Sequence, residues 1–425
     1  MSDQQFTRRK FLNTLAKSGV VLGTGAVAFA GATWLPRLIG RAGKESLAAD
    51  RLSELARNAP RARFWISTAT PEVNCSDCHQ PNLSDCHLPE LSPDEKSHDH
   101  GIVIIKCGLC AQACFIREGT RGVCRTRMNV DGELRSLVYG RPVSIHVDPI
   151  EKKPLFHFLP GKTAFSLATA GCPLHCKFCQ NWELSQMSPE DHDTQYIAPE
   201  TIANSAVFNQ APVIAFTYNE PTVFTEYLID IARSAKKQNI RSVLISCGFM
   251  TEEPLTEMCE VLDAIKIDLK GFSEDFYQKV CSARLKPVLR SIKQIAKSGT
   301  HLEIVNLVVP TLNDSEPMLR ELAKWVVNEI GPDVPVHYTR FHPDYQLLNL
   351  APTPIATLER ARDIAMDEGM HYAFVGNVPG HPGNSTYCPN CGKAVIERSG
   401  FFIRGMHLQD GKCAFCDEPV AGVWS

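Results

Sequence analysis

The stretch AFSLATAGCPLHCKFCQNWE, residues 164–183, places three cysteines at a C-x3-C-x2-C spacing directly after a β-rich apolar run. Cys172, Cys176 and Cys179 lie close enough along one loop to wrap a single cluster. A cubane iron–sulfur cluster has four irons, so three thiolates leave one iron without a protein ligand. A closed structural site, such as a zinc site, has no reason to omit a ligand, whereas a catalytic site keeps an open position. The spacing therefore favours a catalytic cluster that binds a small molecule over a three-ligand zinc site.

The chain around this loop alternates short apolar runs with helix-like segments. About seven runs are rich in β-forming residues: AFSLATA, PVIAFTY, RSVLIS, AIKIDL, HLEIVNLVVP, VPVHYTRF and HYAFVGNV. Strands that alternate with helices predict a parallel sheet with right-handed crossovers. We therefore predict an α/β fold, a partial (βα)6-type barrel, in which the chemistry lies at the carboxyl ends of the strands.

Polar residues follow several of these predicted strands at the expected catalytic edge. Each of them alone is equally well explained as a capped loop or a solvated charge, but their shared position favours function. Phe178 precedes the last cysteine of the loop, where its ring would shield a cluster and stack on a planar group. The strand-end candidates are Asn219, Glu220, Ser246, Gly248, Asp268, Lys270 and His337.

The pattern C-x3-C-x-aromatic-C after the first barrel strand resembles the radical SAM superfamily. The resemblance implies that S-adenosylmethionine (SAM) chelates the unique iron of a [4Fe-4S] cluster through its amino and carboxylate groups. The reduced cluster is then expected to cleave SAM into methionine and a 5′-deoxyadenosyl radical that abstracts hydrogen. The resemblance also places Asn219 and Glu220 near the SAM amino group, and Asp268 and Lys270 near its ribose or carboxylate.

Longer motifs resemble narrower groups within that superfamily. IDLKG and VVPTLND are similar to activating enzymes of glycyl radical proteins, such as that of pyruvate formate-lyase. DPIEKKPLFHFLPG, TYNEPTVFTEY and GNVPG resemble the radical SAM enzymes of the AmmeMemoRadiSam system. The substrate stays unknown on these grounds, but a protein substrate and a low-potential electron donor are what the resemblance implies.

Two further cysteine sets have four members each. Four thiolates suit either zinc or iron, so the spacing alone leaves the metal open. For the first set, a structural metal site and an electron relay into the catalytic cluster are both open interpretations. The second set has zinc-ribbon or rubredoxin spacing, which indicates a structural site. The first set is Cys107, Cys110, Cys114 and Cys124, and the second is Cys388, Cys391, Cys413 and Cys416.

The amino terminus carries an export pattern. Paired arginines in TRRKFLN, residues 7–13, precede an uncharged stretch at residues 18–35 that is rich in Gly and Ala. This combination is typical of a twin-arginine signal, cleaved or kept as an anchor, rather than of an ordinary helix. We therefore expect export to the periplasm or membrane anchoring, with membrane contact only through this segment.

The short motif CSDCH, residues 75–79, has the form of a c-type haem attachment site. Haem would be attached through Cys75 and Cys78, with His79 as the axial ligand. A competing interpretation makes this region a metal site or an exposed loop, since further ligands follow it: Cys86, His87, His98 and His100.

Bulk composition fits a globular enzyme with small additions. The chain has 425 residues, 44% hydrophobic, and a net charge of -3 that gives no reason to expect nucleic acid as a partner. We predict a radical SAM enzyme, with an exported iron–sulfur electron carrier as the alternative. The predicted segments are a signal at 1–36, an amino-terminal region at 37–105, a four-cysteine module at 106–150, the barrel at 151–380 and a zinc-ribbon-like module at 383–425.

Overall fold

The computed structural model describes residues 41–67 and 104–425. The chain divides into two compact units, Met1–Arg51 and Leu52–Ser425. The twin-arginine signal and the haem motif lie outside the described residues, so both stay predictions. Within the described ranges, no helix combines the length and the apolar character needed to cross a bilayer.

One eight-stranded sheet forms the centre of the larger unit. Seven parallel strands follow one another in chain order, and all seven coincide with the apolar runs expected to form strands. Their side chains are almost all buried, as is typical of a sheet that is covered on both faces. The strands are β7 (Thr163–Ala168), β8 (Val213–Phe216), β9 (Arg241–Ser246), β10 (Ala264–Asp268), β11 (His301–Val308), β12 (Val336–Arg340) and β13 (Ala373–Gly376).

The eighth strand, β6 (Ser144–Pro149), pairs antiparallel with β7 at one edge of this sheet, and β13 is the other edge. The sheet therefore begins at residue 144, before the predicted start of the barrel at residue 151, because β6 belongs to it. Sequence periodicity cannot show which sheet a short edge strand joins.

A helix follows each of the first six parallel strands and packs its apolar face on the central core. Gly299, with φ of 80°, ends the fourth of these helices in the left-handed conformation that glycine adopts without steric cost. The six helices are Pro199–Phe208, Thr225–Lys236, Glu252–Val261, Leu285–Ser298, Glu316–Glu329 and Ile355–Asp367.

Small antiparallel elements precede the sheet. An amino-terminal helix, Arg41–Asn58, is followed by a three-stranded antiparallel sheet, whose strands pair in chain order, and by a two-stranded hairpin. The bounds are β1 (Trp65–Ser67), β2 (Ile104–Cys107), β3 (Phe115–Arg117), β4 (Arg127–Val130) and β5 (Glu133–Ser136). The first four-cysteine set lies among these strands and their turns.

The carboxyl-terminal segment packs beside the amino ends of the parallel strands. Phe156 and Phe374 share an apolar cluster with Val395 and Cys413. The segment contains a three-stranded sheet and a two-stranded ribbon with the bounds β14 (Thr386–Tyr387), β15 (Ala394–Ser399), β16 (Phe402–Met406), β17 (Leu408–Gln409) and β18 (Lys412–Cys413).

His157 fixes this contact, because its Nδ1 lies 2.7 Å from the Ala421 carbonyl oxygen and its Nε2 lies 3.2 Å from Thr386 Oγ1. Burial lowers the pKa of His157 from 6.5 to about 3, although Glu303 opposes the shift. As pH falls between these values, the unfolded chain binds the proton and the folded chain does not. We expect the free energy of unfolding to fall by about 1.4 kcal/mol per pH unit in that window.

Urea titrations of the wild type and of His157→Phe across this window measure the effect. The variant is expected to lose part of this pH dependence, and the exposed His342→Phe is its control. An equal slope in the wild type and in His157→Phe would contradict the assignment.

Candidate active site

The three-cysteine loop begins directly after β7, at the carboxyl edge of the sheet. Gly171 has φ of 90°, and its N–H donates to the Leu184 carbonyl oxygen at 2.9 Å, which turns the chain sharply out of the strand. The sulfurs of the first and last cysteines of the motif have hydrogen-bond partners that are not cysteines. The Leu174 N–H donates to Cys172 Sγ at 3.4 Å, and Cys179 Sγ lies 3.1 Å from Ser185 Oγ.

A π-helical turn, Tyr277–Cys281, supports this loop from the side of β10. The His175 and Lys177 N–H groups donate to the carbonyl oxygens of Cys281 and Val280, at 3.1 and 3.0 Å. The loop is therefore held by backbone hydrogen bonds on both sides of Cys176. A π-turn of this kind is found frequently at functional sites.

The π-turn also brings a fourth thiol to the loop. The Cys281 thiol, helped by the Lys270 ammonium, lowers the pKa of Cys176. Cys281 has no close cysteine neighbour in the sequence, so cysteine spacing gives no sign of this contact. Only the fold brings it beside the three-cysteine loop.

Glu220 occupies the centre of the loops that follow β8 and β9. Its Oε1 accepts from Ser246 Oγ at 2.7 Å, from Thr222 Oγ1 at 2.6 Å and from the Thr222 N–H at 3.1 Å. Its Oε2 accepts from the Cys247 N–H at 2.7 Å. Oε1 is therefore saturated by protein donors, whereas Oε2 retains acceptor capacity for one more donor.

Asn219 and Gly248 shape the same edge of the sheet. The Asn219 side-chain amide donates to the Gly171 carbonyl oxygen at 2.9 Å, and its Oδ1 is buried without a partner among the described residues. Gly248 has φ of 70°, and its N–H donates to Ser246 Oγ at 2.9 Å. Asn219 thus offers one buried, open acceptor next to the loop that carries the cysteines.

Asp268 and Lys270 end β10 beside the cysteine loop. Asp268 pairs with Lys266 and, at 3.5 Å, with Lys270 Nζ. Burial opposes the charge on Lys270, but Asp268 and the Cys176 thiol raise the pKa of Lys270 well above its ordinary value. Lys270 Nζ lies 5.7 Å from the ring centre of Phe178, which is buried. The positive charge therefore faces the loop.

His337 lies apart from the other strand-end candidates. It is the second residue of β12, fully buried, and its Nε2 lies 2.7 Å from Glu303 Oε2. Glu303 also accepts from the Phe156 and His157 N–H groups, which belong to the segment before β7. The structure therefore places His337 near the amino end of β12, away from the carboxyl edge where the other candidates lie, because a pattern in an apolar run does not show near which end of the strand a side chain lies.

The carboxyl-terminal cysteine set is arranged for one tetrahedral ion. Cys388 Sγ lies 3.6 Å from Cys416 Sγ, and Cys391 Sγ lies 3.7 Å from Cys413 Sγ. A zinc–thiolate bond of about 2.3 Å makes each tetrahedral edge about 3.8 Å. The Glu418 N–H lowers the pKa of Cys416 to about 7, so this thiol ionises readily.

Sulfur spacing separates this set from the other two. In the described ranges, these four cysteines are the one group whose ligand atoms all lie within 4.8 Å of one another. Cys172, Cys176 and Cys179 do not meet this limit, and a wider spacing suits a multi-iron cluster better than a single ion. The first four-cysteine set is also wider, and its members line one cavity with Arg127 and Pro173.

Comparisons with known proteins agree with this site. Residues 166–323 match the Radical SAM superfamily. The chain is 43% identical over 318 residues to an uncharacterized protein of Methanocaldococcus jannaschii, across 74% of this chain and 95% of that protein. It is 23% identical over 192 residues to the pyruvate formate-lyase-activating enzyme of Clostridium pasteurianum, across 42% of this chain and 80% of that enzyme. The pyruvate formate-lyase 1-activating enzyme of Escherichia coli K12 is 21% identical over 223 residues, across 48% and 89%.

The chain therefore belongs to the radical SAM superfamily. Within that superfamily it is an enzyme of the activating-enzyme type. Membership implies a [4Fe-4S] cluster and SAM, and the wide three-cysteine set at the carboxyl edge of the sheet fits such a cluster.

Glu220 is the strand-end residue whose replacement is most informative. Glu220→Gln puts an amide N–H₂ against donors that now reach a carboxylate, namely Ser246 Oγ, the Thr222 groups or the Cys247 N–H. We expect the free energy of unfolding to fall by about 1.5–3 kcal/mol, the usual contribution of hydrogen bonds to a charged group. SAM affinity is expected to fall as well, because the loops after β8 and β9 lose hydrogen bonds that hold them together.

Urea unfolding and equilibrium dialysis with SAM measure the two effects. Glu253→Gln, on the exposed start of the helix after β9, is the matched control. If Glu220→Gln were as stable as the control, the hydrogen-bond network would not hold these loops.

Proposed function

We propose that this enzyme cleaves SAM reductively at a [4Fe-4S] cluster held by Cys172, Cys176 and Cys179, and uses the resulting 5′-deoxyadenosyl radical to abstract hydrogen from a substrate. The observation that carries the proposal is the three-cysteine loop at the carboxyl end of β7, with Glu220 and Lys270 at the ends of β8 and β10. The bound cluster would supply the electron that breaks the carbon–sulfur bond of SAM.

The protein side chains supply binding and orientation. Glu220 Oε2 and the open Asn219 Oδ1 are acceptors suited to an ammonium group such as that of SAM. Lys270 carries a positive charge suited to a carboxylate or a ribose hydroxyl. The buried Phe178 ring keeps water from the cysteine loop, which strengthens each of these interactions.

Anaerobic reconstitution with iron and sulfide, followed by reduction with dithionite and addition of SAM, tests this proposal. We expect 5′-deoxyadenosine and methionine in equal amounts. An intact, reducible cluster that yields neither product would reject the proposal and favour electron transfer without SAM cleavage.

A protein is the substrate class that we propose. The names of several relatives state that they activate other enzymes, namely pyruvate formate-lyase, (2S)-3-sulfopropanediol sulfolyase and isethionate sulfite-lyase. The sheet is open between its edge strands β6 and β13, which leaves room for a polypeptide at the mouth. The narrower resemblance to the AmmeMemoRadiSam enzymes stays part of this proposal.

Deuterium transfer distinguishes a protein from a small molecule. The enzyme is supplied with extract from cells grown on deuterated amino acids, separated by dialysis into macromolecules and small molecules. Deuterium in 5′-deoxyadenosine is expected with the macromolecular fraction, in a signal that protease treatment removes. Transfer only from the small molecules would reject a protein substrate.

We further propose a structural metal ion, zinc or a single iron, at Cys388, Cys391, Cys413 and Cys416. A closed four-thiolate site contributes folding energy directly. Stripping the ion with a chelator is expected to lower the melting temperature, because the folding energy that the ion contributes is lost. Cys413→Ser should reproduce the loss, whereas Cys259→Ser, outside all three sets, should not.

A further inference from the structure

We propose that Cys107, Cys110, Cys114 and Cys124 hold a second iron–sulfur cluster of the [4Fe-4S] type. All four line one cavity among β2, β3 and the start of β4. Three are buried, and Cys114 is partly exposed. The role of this cluster in passing electrons to the catalytic cluster rests on the proposed function, but the presence of the cluster does not.

Sulfur spacing decides between a cluster and a single ion. A tetrahedral ion with metal–sulfur bonds of about 2.3 Å needs sulfurs about 3.8 Å apart. The carboxyl-terminal set meets this requirement, with separations of 3.6 and 3.7 Å. In the described part of the chain, no three of the first four cysteines have sulfurs that all lie within 4.8 Å of one another. They are therefore spaced for a larger group.

Arg127 gives an independent sign of a missing anionic group. It lines the cavity, is only 1% exposed, and its Nε–H has no hydrogen-bond partner among the described residues. A buried donor without an acceptor costs free energy, so such donors usually face a ligand or water. The sulfide and thiolate sulfurs of a cluster are acceptors of the required charge.

The cavity adjoins the catalytic loop. Pro173, the chain neighbour of Cys172, lines it, and the Gln112 side-chain amide donates to the Pro173 carbonyl oxygen at 2.8 Å. The Cys124 carbonyl oxygen lies 2.5 Å from the position that a Cβ on Gly171 would occupy, so only glycine fits there. Gly171 directly precedes Cys172, and consecutive Cα atoms are about 3.8 Å apart. Cys124 of the first set and Cys172 of the loop are therefore separated by no more than on the order of 10 Å.

This position suits electron entry. Four thiolates close the coordination of the cluster and leave no open iron for a substrate. One electron from a low-potential one-electron carrier would reduce the second cluster, and the same electron would then pass to the catalytic cluster. The second cluster returns to its oxidised state, so no atom is gained or lost there. Cys114, the partly exposed member, marks the side from which the carrier would approach.

Iron counting on the full chain, reconstituted anaerobically, tests the second cluster. We expect about eight irons per chain in the wild type and about four in each of two variants. One variant replaces Cys172, Cys176 and Cys179 with alanine, and the other is Cys107→Ala with Cys110→Ala. Cys259→Ala is the control and should keep about eight. A single iron at the carboxyl-terminal set would add only one to each count.

Electron paramagnetic resonance assigns the clusters and their proximity. After reduction, SAM should change the spectrum of the Cys107→Ala, Cys110→Ala variant and leave that of the catalytic-loop variant unchanged. The fully reduced wild type should show broadening from spin interaction that neither variant shows. A single Cys114→Ser substitution is a milder test if the double variant does not fold.

A catalytic-loop variant that folds but holds no more than about one iron would overturn the proposal, and so would zinc in excess of the one ion that the carboxyl-terminal set can hold. Unbroadened spectra in a wild type with both clusters would overturn their close spacing. The proposed function fails separately, when the wild type does not cleave SAM. In that case the iron count of the catalytic-loop variant still decides the second cluster.

Discussion

Replacing Cys176 with alanine is expected to abolish SAM cleavage. Cys176 is the buried, central member of the loop and the one whose thiol pKa is lowered by the Cys281 thiol and by the Lys270 ammonium. With two thiolates left, the cluster loses one of its three protein ligands. Loss of an outer-shell partner alone typically costs 10–100-fold, so we expect more than a roughly 100-fold fall in the rate of 5′-deoxyadenosine formation.

The matched control is Cys259→Ala, a partly exposed cysteine on the helix after β9. It removes one thiol without touching any of the three cysteine sets, so its rate and iron content should equal those of the wild type. Cys281→Ala tests whether Cys281 binds the cluster or only supports Cys176. We expect it to retain the cluster iron and to cleave SAM more slowly, because Cys281 adjoins Cys176 without belonging to the motif. Full activity of Cys176→Ala would contradict the assignment of the cluster.

Local patterns predicted the strands and the cysteine loop well. All seven parallel strands are near-continuous apolar runs, which the burial of a sheet on both faces imposes on the sequence. The loop of Cys172, Cys176 and Cys179 is contained in eight consecutive residues. Such features depend on neighbours in the chain, and periodicity or spacing reveals them directly.

Features made by distant segments were not predictable in the same way. Cys281 lies more than one hundred positions from Cys176, and only the π-turn joins them. β6 is short and polar on one face, so its sheet was not apparent. His337 lies inside the predicted strand VPVHYTRF, and its partner Glu303 belongs to the amino end of the sheet, opposite to the cysteine loop. Tertiary pairing decided each of these outcomes.

The buried ion pair between Arg127 and Glu226 is expected to control the stability of the amino-terminal elements. Arg127 Nη2 donates to both carboxylate oxygens of Glu226, at 2.6 and 2.7 Å, and the two side chains are 1% and 8% exposed. Burial would lower the pKa of Arg127, but Glu226 and the Cys107 thiol raise it, so the pair stays ionised. The bond joins β4 to the helix after β8, between the four-cysteine cavity and the sheet.

Arg127→Met leaves the Glu226 carboxylate buried, with the Arg63 N–H at 2.8 Å as its remaining donor. We expect the free energy of unfolding to fall by about 3–5 kcal/mol, since breaking a buried pair leaves an uncompensated charge. Adding Glu226→Leu should restore most of the loss, because an apolar pair of similar volume needs no solvation. Lys279→Met, which breaks an exposed pair with Asp275, should cost no more than about 1 kcal/mol. Urea unfolding of the wild type and of these three variants measures the losses. A loss in Arg127→Met as small as in Lys279→Met would mean that water reaches Glu226 and that this contact does not hold β4 against the sheet.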